Sequence, residues 1–145
     1  MNMRNLTNSL IMKCRAAHLK VVQEFNKVCE RHNLKWYAFC GTLLGAVRHK
    51  GFVPWDDDID IAMMRSDYNL FLYYAEKELP YFVDTFDSVS GGTVTHNLGI
   101  TRINNTHEAN FDPDFLKDNF EFPYMVGIDL YPLDYVPENY DFFIE

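Results

Sequence analysis

The stretch Gly51-Phe52-Val53-Pro54-Trp55-Asp56-Asp57-Asp58-Ile59-Asp60-Ile61 decides how this chain is read. From Asp58 onward acids and apolar residues alternate, the two-residue period of a β-strand whose successive side chains point to opposite faces. The spacing predicts a strand over 58–63, with Asp58 and Asp60 on one face and Ile59 and Ile61 turned into a core. Two carboxylates so placed stand about 7 Å apart at their backbones. Their side chains can converge on one cation, and they repel each other without it. Mg²⁺ takes one or two protein carboxylates and completes its shell with waters and phosphate oxygens. Spacing alone leaves a cation site and a solvated acidic face both open. The Gly and terminal Glu of an EF-hand loop are absent. Asp56 and Asp57 fall in the preceding loop, where they either join a metal site or cap backbone amides.

Working toward the N-terminus, Gly41-Thr42 lies between an apolar aromatic run over 34–40, read as a strand, and a brief helical turn carrying Leu43, Leu44, Ala46 and Val47. Glycine permits close backbone approach, and a Thr hydroxyl with helix N-terminal amides suits phosphate oxygens. An ordinary strand-to-helix turn accounts for the pair as well. Arg48, His49 and Lys50 follow as local positive charge; Arg48 has the fork geometry to clamp a phosphate, while Lys50 also reads as a solvated side chain. Before these, Leu10, Cys14, Ala17, Val21, Phe25 and Val28 recur at steps of three and four, predicting a long amphipathic helix with Thr7 or Ser9 as its cap and Asn33 as its stop.

Toward the C-terminus, Ser66 or Asp67 is expected to cap a helix through Leu70, Phe71, Tyr74 and Ala75 that ends at Pro80. Extended segments are expected over 81–86, 98–103 and 126–131, with turns at Gly91-Gly92 and Asn104-Asn105 and a stop at Pro132. The segment 111–125, with Pro113 and Pro123, matches no regular pattern. Asp129 is flanked by Ile128 and Leu130 on the last strand. It reads either as a third carboxylate of the site or as an edge residue facing water. Asp134 reads as a turn residue. This order of elements predicts one α/β (α+β) domain over 1–145, with helices packed on a small mixed sheet.

Composition agrees with a packed domain: 48% of the 145 residues are hydrophobic and 16% aromatic, too apolar for a disordered chain. The net charge of −8 argues against a nucleic-acid-binding surface, so an anionic small substrate needs local neutralisation, most simply by a cation. Cys14, Cys29 and Cys40 lack zinc-ligand spacing and are expected to be reduced and mostly buried. Five charges interrupt the helical stretch 10–28, so no membrane span is expected there. A soluble cytoplasmic protein is anticipated, compatible with peripheral membrane contact.

The long run from Gly41 through Ile61 closely resembles the signature of the LicD family, which includes fukutin-related proteins, and Asp129-Leu130-Tyr131-Pro132-Leu133-Asp134 resembles its later acidic strand. The resemblance covers most of the chain and implies a polymerase-beta-like nucleotidyltransferase fold. It also implies transfer of a phosphorylated alcohol, typically phosphocholine from CDP-choline to a sugar hydroxyl of a cell-surface polymer such as lipopolysaccharide or teichoic acid. By matching position, Asp58, Asp60 and Asp129 are the expected catalytic and metal-binding acids, for Mg²⁺ or Mn²⁺. Gly41, Thr42, Arg48, Lys50 and Asp56 are the expected substrate-binding residues. A choline group would call for aromatic walls, for which Trp36, Tyr68, Tyr74 and Tyr124 are available alongside their core-packing role. Relatives continue further, so the domain is expected to be incomplete at its C-terminus. Nucleotidyl transfer to a small molecule and a nucleotide-binding module without turnover remain the alternatives.

Overall fold

A computed structural model describes residues 3–85 and 100–135. The chain opens with helix α1 (Met3–Arg31), whose Ala17, Val21, Phe25 and Val28 form a buried stripe. The helix starts before Thr7 and Ser9, so neither caps it. Asn33 follows its end in the left-handed region at φ 53. Strand β1 is only Tyr37–Ala38, shorter than the predicted 34–40. Leu34 instead packs into the core below α1.

Next come α2 (Cys40–Leu44) and one turn of π-helix (Gly45–His49), ended by Lys50 at φ 58. Strand β2 (Asp60–Met64) leads directly into α3 (Arg65–Glu78). Met64 is the residue before that helix and offers no side-chain cap; Ser66 and Asp67 lie inside the first turn. Strands β3 (Phe82–Asp84) and β4 (Thr101–Asn104) follow. The Gly91-Gly92 turn falls outside the described residues. Within 111–125, Asp112 caps α4 (Pro113–Asp118) through the amides of Asp114 and Phe115, with proline at the first helical position, where its missing N–H costs nothing.

Strand β5 (Gly127–Leu133) runs through Pro132 rather than stopping there. The pairing with β4 ends at Thr101 opposite Leu130, while β2 continues beside β5 to Leu133. Pro132 therefore lies beyond the β4 pairing, where its missing donor is tolerated.

The five strands form one mixed sheet in the order β1-β2-β5-β4-β3, in which only β2 and β5 are parallel. This is the α/β arrangement expected from sequence. Helices α1 and α3 cover one face: Phe25 and Phe71 meet at 4.7 Å between ring centroids, over Ile61, Met63, Ile128 and Leu130. Strand alternation then turns Asp60 and Asp129 to the opposite face. Among the described residues no helix is long and apolar enough to cross a membrane.

Candidate active site

The site rests on one register. Asp60 of β2 stands directly opposite Asp129 of β5, on adjacent parallel strands. Strand spacing puts their backbones about 5 Å apart, and the Asp129 N–H donates to the Ile59 carbonyl at 2.9 Å, fixing the start of the pairing. The spacing placed Asp58 on the strand, but the structure does not. The ladder begins at Asp60, and Asp58 ends the loop before it. The loop still delivers its carboxylate to the same place. Desolvation, the charges of Asp60 and Asp56, a hydrogen bond with Asp56 and the charge of Asp129 together push its pKa up to about 6.

Asp60 is 7% exposed. Burial raises its pKa, partly countered by a hydrogen bond from the Gly41 N–H at 3.2 Å and another from Tyr131. The Gly41-Thr42 turn is thus built onto Asp60: the Asp60 N–H also donates to the Thr42 hydroxyl at 2.9 Å. A Cβ added at Gly41 would collide with the Asp56 carboxylate, so the glycine lets that acid close in on the turn. The acid loop is anchored from α1, whose Arg15 donates to the carbonyls of Val53 and Pro54 at 3.0 and 3.1 Å.

Asp129 has a partner that sequence reading did not anticipate. Arg102, its register neighbour on β4, donates to both carboxylate oxygens, at 2.9 and 3.3 Å. The signal was present in Thr101-Arg102-Ile103, a cation inside a segment that reads as a strand. His18 was missed too. It is 5% exposed, on the buried side of α1 one turn after Cys14, and a polar residue on an apolar stripe is its mark. Its Nδ1 is 3.0 Å from the Cys14 carbonyl, which can only accept, so Nδ1 carries a proton; burial lowers the pKa of the ring and favours its neutral form.

Among the described residues two cavities flank the acids. The larger, about 480 Å³, is walled by Trp36, Phe52 and Val22 and reaches Gly41, Lys50 and Asp56. The smaller, about 170 Å³, is polar and lies at the N-terminal end of β5, between His18, Asp57, Arg102 and Asp129. Asp58 lines both. Arg48 lines neither and is exposed beside His49, to which its Nε donates at 3.0 Å. Of the four aromatics considered for a choline site, Trp36 alone lines either cavity. Tyr68 is buried against the Thr101 hydroxyl, Tyr74 stacks on His32, and Tyr124 packs on Phe122. Nor are the three cysteines alike: Cys29 is buried, Cys14 half-buried, and Cys40 exposed at a left-handed φ of 38.

The donor set fits a hard divalent cation. Asp56, Asp58, Asp60 and Asp129 lie on adjoining elements and feel one another's charge without converging on one point. Among the described residues only Asp129 has a basic partner, and the mutual repulsion in the others is what a cation relieves. The present rotamers do not bring three His, Cys, Asp or Glu groups around one point among the described residues, so binding requires side chains to turn inward.

Residues 33–137 match the family model of the LicD/FKTN/FKRP nucleotidyltransferase domain. The chain is 40% identical over 73 residues to the lipopolysaccharide cholinephosphotransferase LicD of Haemophilus influenzae, a stretch covering 49% of this chain and 28% of that protein. It is also 42% identical over 48 residues to RP689 of Rickettsia prowazekii and to RT0683 of Rickettsia typhi, covering 33% of this chain and 18% and 16% of those proteins. The matched stretches thus span less than a third of each relative.

Proposed function

Because the chain belongs to the LicD/FKTN/FKRP nucleotidyltransferase domain family, we propose that it is a cytoplasmic transferase moving a phosphorylated alcohol, phosphocholine before others, from a CDP-linked donor to a glycan hydroxyl. The carrying observation is the register that sets Asp60 beside Asp129, with Asp58 close enough to share their charge. The Haemophilus relative's name supplies the alcohol and the lipopolysaccharide class of acceptor.

In this reading Asp58 and Asp60 hold Mg²⁺ or Mn²⁺. The chemistry that cation supplies when bound is neutralisation of the donor diphosphate and of the departing CMP. Gly41 and Thr42 hold Asp60 in place from the donor side, and Lys50 adds a positive charge at the rim of the larger cavity. Asp56 closes the turn against Gly41. Asp129 is the third acid, and Arg102 holds its carboxylate in a fixed orientation. Transfer of phosphocholine requires attack at the phosphorus bearing choline. The acceptor hydroxyl therefore enters on the side away from the nucleoside.

The test is CMP release from CDP-choline with Mg²⁺ and a glycan acceptor, for the wild-type chain and Asp60→Ala. The expected result is CMP release and acceptor labelling that Asp60→Ala abolishes. Equal turnover by both overturns the metal-pair assignment. Pyrophosphate release from a nucleoside triphosphate would identify nucleotidyl transfer instead.

A further inference from the structure

The two cavities that meet at Asp58 differ in chemistry, and a transfer reaction needs two ligands meeting at one point. The larger borders the Gly41-Thr42 turn and Lys50, which suit a phosphate-bearing donor. The smaller is lined by the carboxylates of Asp57, Asp58 and Asp129, and the one guanidinium facing it, Arg102, is already joined to Asp129. Such a wall repels anions and presents hydrogen-bond acceptors, so it selects a neutral ligand rich in O–H donors. Its volume of about 170 Å³ corresponds to on the order of five waters, or the edge of one sugar ring.

His18 completes that wall. Its Nδ1 is committed to the Cys14 carbonyl of its own helix, which places the proton there and leaves the Nε2 lone pair on the side of the ring away from that bond. We propose that the smaller cavity is the acceptor-hydroxyl site and that His18 Nε2 accepts the hydrogen bond that orients the incoming sugar hydroxyl. The assignment rests on the transferase reading above and extends it to the second substrate. It gives α1, which lies wholly outside the matched family region, a part in recognition as well as in packing.

The test uses two polar replacements that divide the imidazole between them. An Asn side chain reaches about as far as Nδ1 and a Gln about as far as Nε2. CDP-choline and Mg²⁺ are supplied with methyl β-galactoside as the acceptor probe. His18→Gln, which keeps an acceptor at the Nε2 position, is expected to show a smaller rise in the KM for the galactoside than His18→Asn. His18→Asn is expected to raise the KM for the galactoside about tenfold, the worth of one neutral hydrogen bond, with the KM for CDP-choline unchanged. Equal behaviour of the two variants, or a change confined to CDP-choline, overturns the proposal. A readout independent of turnover is the ¹⁵N spectrum of the imidazole. Nε2 is expected in the unprotonated range and is expected to shift on adding the galactoside. A proton found on Nε2, or no shift at saturating sugar, overturns the proposal as well. Absence of turnover in the wild-type chain would sink the transferase reading, leaving the nitrogen spectrum to judge the sugar site on its own.

Discussion

Replacing Asp58 by Asn is expected to stabilise the metal-free chain at neutral pH and to remove its response to Mg²⁺. The folded chain raises the Asp58 pKa from 3.8 to about 6. A raised acid binds its proton more tightly when folded, so its favourable contribution is complete below pH 3.8 and is lost as pH climbs through about 6. The rise corresponds to a ceiling of about 3 kcal/mol, which solvent screening of this exposed carboxylate reduces to about 1 kcal/mol. For a domain of this size that is a difference of about 3 °C in Tm. Thermal melts of wild type and Asp58→Asn, with chelator, from pH 4 to pH 8 isolate the effect, because contributions common to both cancel. The two should coincide near pH 4, and the variant should melt higher above pH 7. Mg²⁺ at ten times its Kd should then add about 1.4 kcal/mol to the wild type and little to the variant, reversing the order. A variant less stable than wild type at pH 7.5 in chelator would refute the reasoning, because Asp58 would then be held by a favourable partner.

Three further outcomes follow from packing. Gly41→Ala drives a methyl group into the Asp56 carboxylate; nucleotide binding measured by calorimetry should weaken about tenfold, with Tm changed by only a few degrees. Gly127→Ala places its methyl against the Ile103 carbonyl and the Asn104 side chain at the start of β5; chemical denaturation should show a loss of about 1–3 kcal/mol. Phe25→Ala empties the contact between α1 and α3, where Phe25 is fully buried against Phe71, and should cost about 3–5 kcal/mol by the same measurement.

Much of this was legible from the sequence, for identifiable reasons. The stripe through Ala17, Val21 and Phe25 has the helical period of a buried face, and the acid-apolar alternation of Asp58, Ile59, Asp60 and Ile61 has the strand period, although all of 60–63 proves buried in the middle of the sheet. Less legible were features set by strand partners. Whether Pro132 ends a strand depends on where β4 stops, and whether Asp129 faces water or a cation depends on Arg102, 27 residues away in sequence. The predicted strand began two residues too early, at Asp58, because the alternation is already present in the loop before the ladder starts at Asp60. Arg48 drew attention as a phosphate clamp by its charge and fork geometry, and where the π-helical turn places it, exposed at the surface, could not be read from sequence. His18 escaped notice because periodicity ranks a histidine by the face it occupies and says nothing about what lies beyond that face.

The most direct measurement is a titration with Mn²⁺ followed by its paramagnetic resonance signal, in the presence of CDP-choline. One ion bound per wild-type chain, and none tightly by Asp60→Asn, is the predicted result. Equal Mn²⁺ uptake by the two proteins would contradict the assignment of the β2–β5 acid pair as the centre of the site.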